Sequence, residues 1–379
     1  MNNKIACLSL LIALTSLTSC AKVMFRALPE DSASLVSPTP EPTPAPTPLP
    51  EPIPVPHTPE YTHSEVVKPG NKQVDFLLVM DDSNSMLPDL KKLAASMSAF
   101  MSSLEASQID WQMCLTTTRA IPGNGKNAWG RPLSWANYTP SPNTLATLLK
   151  KGTHNLNTVF TSTVDAMQIG GQNSGDERAI KATFENFAQG SPLSSVNNGC
   201  YRDGAAKSVI IISDEDERSV GGNKLKVKPK DANGAHQPLD DTDMPANLVA
   251  MAQKTFGEDV RFTFNSIIVK PEDTACEESQ DKDTSPSHPG YIYSEMSNLT
   301  HGGIGSICDQ NFTASLNTFK DKIINSLSQV TLQCDPDVST LTVKIDGLSV
   351  TDYQVLGNVL KFAAPLTEGT QLDLSYDCQ

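Results

Sequence analysis

The sequence predicts an α/β fold, a doubly wound and mostly parallel sheet, followed by a small antiparallel β domain. Three observations carry this. Short, nearly continuous apolar runs alternate with segments of helical periodicity through residues 71–330. Two of those runs end abruptly in acidic and hydroxyl residues. After Cys334 the apolar period switches to two.

The chain opens on a different kind of segment. Lys4 supplies a positive start, and residues 5–17 are an apolar stretch too short to span a bilayer comfortably. Leu17-Thr18-Ser19-Cys20 resembles a lipobox, after which Cys20 would become the lipidated N-terminus. The alternative is an ordinary secretory signal with an incidental cysteine. Ala21 follows Cys20, where an Asp would resemble an inner-membrane retention signal, so the resemblance implies a bacterial outer-membrane lipoprotein tied to the membrane by its anchor. From Pro38 to Pro56 every second residue is proline. Lacking donors and pushed toward extended conformations, this run reads as a polyproline II spacer, and residues 21–70 as a stalk. A PxxP recognition ligand is the other reading.

The α/β elements then follow in order. Residues 74–80 (VDFLLVM) read as a central strand covered on both faces. From about Pro88, Leu90, Leu93, Met97, Phe100, Met101 and Leu104 recur at helical spacing. Residues 110–117 read as a strand, 119–142 as a Gly/Asn/Pro-rich insertion, and 143–151 and 158–168 as helices. A helix over 177–189 places Ile180, Phe184 and Phe187 on one face. Strands are expected at 207–213 and 261–269, and helices at 246–256 and 312–327. Beyond residue 331, Leu341, Val343 and Ile345 alternate with polar residues, as do Leu372, Leu374 and Tyr376. Turns fall near Asp346-Gly347 and Gly357-Asn358, and Leu360 and Phe362 lie between the two patterns.

Six cysteines remain after Cys7 and Cys20, an even number that in an exported chain points to disulfides. Cys114, Cys200, Cys276, Cys308, Cys334 and Cys378 allow many connectivities, but chain order and the domain reading favour 114–200, 276–308 and 334–378. A 334–378 bridge would close the ends of a β unit too small to be secure alone. No Cys/His spacing suits zinc.

The formal charge of −14, without a Lys/Arg cluster of the kind phosphate binding needs, argues against nucleic acid. No HExxH, GxSxG elbow or P-loop occurs, so the sequence is not read as an enzyme. The chemistry sits at the strand ends. If the strands ending at 80 and 213 are neighbours, Asp81, Ser83, Ser85 and Asp214 converge on one crevice, because alternation within the D-x-S-x-S turn points its first, third and fifth side chains the same way. Such an all-oxygen shell suits hard cations, Mg²⁺, Ca²⁺ or Mn²⁺.

Asp81-Asp82-Ser83-Asn84-Ser85 after an apolar strand, with Ser213-Asp214 at a second strand end, resembles the metal-ion-dependent adhesion site of von Willebrand factor A domains. The resemblance covers roughly residues 72–330 and implies that Ser83 and Ser85 bind the metal directly, with Asp81 and Asp214 acting mainly through waters. It also implies a partner, a protein or surface polymer, that donates a carboxylate to complete the shell. The family's third element is a Thr ahead of a helix. Counting back from Ile180 lands on Ser174, which would serve equally as the start of an S-x-x-E capping box with Glu177. The family's Gly after the second Asp is Glu215 here, and more acid follows. Three functions are therefore weighed: a cation-dependent binding module, an envelope scaffold without regulated metal, and a metal-dependent hydrolase using residues 214–217.

Overall fold

A computed structural model describes residues 60–67, 72–123, 126–140, 145–169, 176–189, 199–231, 237–282 and 286–379. The lipobox with Cys20, the proline run and Ser174 lie outside these residues. In chain order the first elements are β1 (Tyr61–Val66), β2 (Gln73–Met80), α1 (Leu87–Ala106) and β3 (Asp110–Thr117). A hairpin of β4 (Ile121–Gly123) and β5 (Lys126–Ala128) and the short β6 (Leu149–Lys150) come next. They are followed by α2 (Leu156–Ile169), α3 (Ala179–Ala188), β7 (Ala206–Ser213) and α4 (Pro245–Phe256). Then come β8 (Phe262–Ile268), α5 (Thr274–Gln280), α6 (Tyr291–Leu299), β9 (Ile304–Ser306) and α7 (Thr313–Leu327). The last strands are β10 (Gln329–Thr331), β11 (Thr342–Ile345), β12 (Leu348–Ser349), β13 (Tyr353–Leu356), β14 (Val359–Phe362) and β15 (Gln371–Tyr376).

The central sheet has six strands in the order β6-β3-β2-β7-β8-β9, parallel throughout except for β6, which runs antiparallel to β3. Because side chains alternate along a strand, each buried strand feeds two cores. Phe76, Leu78 and Met80 join Met113, Leu115, Ile210 and Ile212 in one core with the apolar stripes of α1, α2 and α7. Leu77, Val79, Val209 and Ile211 face the other, against Ile180, Phe187, Leu248, Tyr293 and Met296 from α3, α4 and α6. Full burial of each such side chain contributes about 1.5–3 kcal/mol. That explains why the runs at 74–80 and 207–213 are apolar at nearly every position.

The expectation of a helix over 143–151 is overturned. Leu148 packs in one core and Leu149 in the other, which is strand alternation, and Leu149 pairs with Met113 at the sheet edge. Helical spacing of Leu145, Leu148 and Leu149 is real in the sequence, but an open edge on β3 offers backbone partners that outweigh local propensity. α5 and α6 were not anticipated. They lie in polar sequence and are held by caps, Asp273 accepting from Cys276 N in α5 and Asp216 accepting from Ile292 N in α6.

The β unit is two small sheets, β1-β15-β11-β12 and β10-β14-β13, around Val343, Leu360, Phe362, Leu372, Leu374 and Tyr376. Its β11–β12 turn has Asp346 at φ 51° and Gly347 at φ 78°, both left-handed, as a two-residue hairpin of this hand requires. The stalk assigned to 21–70 is shortened by this sheet. Tyr61–Val66 forms β1, zipped antiparallel along β15 with Tyr61 stacked on Tyr376. All three expected disulfides are present, Cys114–Cys200, Cys276–Cys308 and Cys334–Cys378. Among the described residues no helix is long and apolar enough to cross a membrane.

Candidate functional site

After β2 the chain moves outward to β3 and β6, then returns across β2 to build β7, β8 and β9 on the other side. The order therefore reverses between β2 and β7, and loops leaving their carboxyl ends diverge to opposite faces and leave a crevice. Met80 pairs with Ile212, and Asp81 N extends the ladder by donating to Ile212 O at 3.0 Å. Asp81 and Asp214 thus leave neighbouring strand ends.

Within the turn, Asp81, Ser83 and Ser85 lie against one another. Ser83 N donates to Asp81 Oδ1 at 2.9 Å, and Ser83 Oγ lies 3.0 Å from Ser85 Oγ. Asp82 faces the other way, gripped by Arg119, whose Nε is 2.7 and 2.9 Å from its two oxygens. Asp81 is fully buried, and Ser213 Oγ donates to its Oδ2 at 2.8 Å. Burial raises its pKa to about 6, against these hydrogen bonds that lower it.

Asp214 is the unusual member. It is fully buried, and neither carboxylate oxygen has a hydrogen-bond partner among the described residues. Its backbone is engaged, N donating to Met86 Sδ at 3.2 Å and O accepting from His288 N at 2.8 Å, and the Ser85 hydroxyl lies near enough to its carboxylate to favour the charged form. Burial, then the Asp81 charge, pushes its pKa well above the usual carboxylate range. An orphaned buried carboxylate is expensive, so a site that keeps one invites an explanation in terms of a missing partner. Two hydroxyls and two carboxylates around one crevice are donors of the kind hard cations take. Among the described residues no three His, Cys, Asp or Glu side chains close on one point, so this is not a carboxylate cage.

The acidic run after Asp214 resolves into separate tasks. Asp216 accepts from Ile292 N at 3.0 Å and Glu217 N at 2.9 Å, and Glu217 accepts from Ile180 N at 2.8 Å and Lys181 N at 3.0 Å. Both therefore satisfy helix N-termini, of α6 and α3, and are not a solvated acidic rim. Glu215 is partly exposed, and burial lifts its pKa to about 7. The chain between, Arg218 and Ser219, has φ of 53° and 64°, a left-handed pair that non-glycine residues rarely adopt.

Ser174, which the sequence offered either as a ligand or as the start of a capping box with Glu177, lies outside the described residues. The N-cap of α3 is Arg178, without a side-chain cap bond, and Glu217 from the loop after β7 does the capping. Glu177 instead turns to the site. It is fully buried, takes the Ser219 hydroxyl on Oε2 at 2.7 Å, and leaves Oε1 without a partner among the described residues. Burial and the neighbouring Glu215 push its pKa well up. Sequence reading missed Glu177 because S-x-x-E ahead of a helix explains a glutamate without any tertiary contact. Thr117 and Thr118, at the end of β3, likewise carry buried hydroxyls without partners among the described residues.

The walls are stapled. Lys228 reaches Asp281, Glu277 and Ser287 O, and His288 meets Asp231 at 3.0 Å, joining the segments 220–231 and 277–288 beside Asp214.

The chain is a mixed α/β protein, with a mostly parallel six-stranded sheet and separate antiparallel sheets. No family model and no curated protein matches it. Similar solved structures include the human COPII-coat protein Sec24c, with TM-score 0.38 and 10% identity over 84% of this chain and 42% of that one. The pilus adhesin SpaC of Lactobacillus rhamnosus GG, in its open conformation, has TM-score 0.28 and 12% identity over 82% and 38%. Proximal thread matrix protein 1 of the mussel byssus has TM-score 0.33 and 11% identity over 72% and 52%. The chain thus spans about half or less of each, and likeness at this level carries no functional argument.

Proposed function

We propose that residues 72–330 are a von Willebrand factor A-type binding module, doubly wound, that takes a divalent cation at Ser83, Ser85, Asp81 and Asp214. The cation, Mg²⁺, Ca²⁺ or Mn²⁺, then engages a carboxylate offered by a protein or surface polymer. The observation that carries this reading is Asp214. A fully buried carboxylate whose oxygens make no close hydrogen bond among the described residues, beside a pair of serine hydroxyls at the switch point, is what a cation position needs and what a purely structural loop avoids. In this reading Ser83 and Ser85 hold the cation, Asp81 orients them through Ser83 N, and the bound cation supplies an electrophilic position for an incoming carboxylate. Capture, not catalysis, is the proposed role. Cys20 would carry the lipid anchor, with the proline run holding the module off the bacterial outer membrane.

The test is a calorimetric and thermal-shift titration of the full chain with each cation, beside Ser83→Ala/Ser85→Ala. A cation-dependent rise in Tm that the double variant lacks supports the reading. No response to any of the three cations sinks it and favours an envelope scaffold without regulated metal. A pull-down from envelope extract with and without chelator then separates cation-dependent partners from the rest.

A further inference from the structure

The loop between β7 and α4 carries a lysine at every second position from Lys224 to Lys230, with Leu225 and Val227 between them. Lys228 is committed to the wall of the site. It pairs with Glu277 and Asp281 and donates to Ser287 O at 2.7 Å. Lys224, Lys226 and Lys230 make no salt bridge among the described residues. In a chain of net charge −14, three lysines without a carboxylate partner on one loop reverse the sign of the surface locally.

The loop is held in one shape. A Cβ on Gly221 would lie 2.6 Å from Asp216 Oδ2, and one on Gly222 2.9 Å from Leu239 Cγ, so its root is packed against both. Asn223 Oδ1 accepts Leu225 N at 3.0 Å. Lys226 Nζ stands 3.4 Å over the ring of Tyr291, whose hydroxyl donates to Glu272. What this fixed loop offers to solvent is apolar as well as basic: Leu225 is 89% exposed, Val227 37% and Tyr291 36%. Apolar residues exposed singly are ordinary, but three gathered about one lysine on an ordered loop make a patch. The patch borders the site at β2 and β7, since Lys228 holds Ser287 O and the next residue, His288, donates its N–H to Asp214 O at 2.8 Å.

We propose that Lys224, Leu225, Lys226, Val227 and Tyr291 form a docking surface for an acidic segment of a partner protein, one that carries apolar side chains among its carboxylates. Charge complementarity selects the acid. The lysines attract carboxylates, while the rest of a chain at −14 repels them and confines an acidic segment to this loop. The apolar side chains select a peptide over an acidic polysaccharide, because Leu225 and Val227 gain only from a partner with hydrocarbon to bury. The surface gives a partner class to the binding module proposed above, and rests on that reading only for the carboxylate that reaches the cation.

The test selects a displayed library of random dodecapeptides on the immobilised full chain in Mn²⁺, then resynthesises an enriched peptide. Polygalacturonate and phosphatidylglycerol vesicles are the non-peptide probes. The variants are Leu225→Ser, Lys224→Glu/Lys230→Glu and Ser83→Ala/Ser85→Ala, with circular dichroism to verify folding. Enriched peptides should join Asp or Glu to aliphatic or aromatic residues. The resynthesised peptide should bind about tenfold more weakly to Leu225→Ser and to the lysine reversal. No enrichment on wild type, or equal affinity for both of those variants, overturns the surface. Polygalacturonate or vesicles that bind through the lysines and ignore Leu225→Ser also overturn it, in favour of a polysaccharide or lipid anion. The two readings fail separately. Mn²⁺ bound without peptide enrichment sinks only the surface, and a lysine-dependent peptide retained by Ser83→Ala/Ser85→Ala upholds the surface while counting against the cation.

Discussion

Asp214 concentrates the chemistry of the site in one side chain, because its backbone is satisfied while its carboxylate makes no close hydrogen bond among the described residues. In the metal-free protein burial and the Asp81 charge favour its neutral form, which Asp214→Asn mimics in shape and charge. Metal-free Asp214→Asn is therefore expected to melt at or above the wild-type Tm, yet to lose the stabilisation by Mn²⁺ or Ca²⁺. A variant that melts lower without metal and still responds to cation would place the carboxylate in a structural role. The same residue marks what the sequence could single out and where its reach stopped. Asp81, Ser83, Ser85 and Asp214 were legible because two apolar strands end in them. Glu177 was not, because its meaning depends on Glu215 and Ser219, which are far along the chain and meet it only through the strained turn at Arg218 and Ser219.

Among the elements, α3 illustrates how a helix end can be specified from outside itself. Its first free N–H groups, of Ile180 and Lys181, go to the buried Glu217. Glu217→Ala should cost about 2 kcal/mol, since two hydrogen bonds to a carboxylate at a helix N-terminus are lost. Hydrogen exchange at Ile180 and Lys181 reads the effect locally, and unchanged protection there would count against the cap. In the β unit, the Cys334–Cys378 bridge closes a 44-residue separation. In the chain-entropy model this constrains the unfolded chain by roughly 4 kcal/mol. Cys334→Ser/Cys378→Ser should accordingly loosen β14 and β15 in hydrogen exchange, with cation binding at Asp81 and Asp214 preserved. If cation binding fell in parallel, the β unit would be coupled to the sheet more tightly than separate cores imply.

For the whole molecule, the dominant electrostatic feature is a set of carboxyls raised by burial, Asp81 to about 6 and Glu215 and Asp216 to about 7. Each folded-state pKa lies above its unfolded value near 4, so between those limits the native state holds more protons than the unfolded one. The stabilising contribution is complete below about pH 4 and is lost as pH rises through about 6 to 7. Metal-free protein should therefore lose several degrees of Tm between about pH 5 and about pH 8. Added Ca²⁺ or Mn²⁺ should restore it most at the upper end, where the ligands are deprotonated. A Tm that rises with pH in chelator would contradict the burial of these acids. The net charge of −14 adds self-repulsion in the same direction, which salt screening separates from the buried terms.

Sequence by itself determined the central apolar strands, most of the amphipathic helices and the four residues at the strand ends, and it favoured one cysteine pairing that the structure then made. Each of these is written locally, as a period, a run or an order along the chain. The tertiary structure decided that 145–150 lies at a sheet edge, that Tyr61–Val66 joins the C-terminal strand, and that Glu217 caps a helix from another loop. It also decided that Asp214 and Glu177 keep oxygens without partners among the described residues. The physical reason is the same in each case. A backbone edge, a cap and an unsatisfied oxygen are defined by what lies across from them, and periodicity along one chain segment carries no record of the segment opposite.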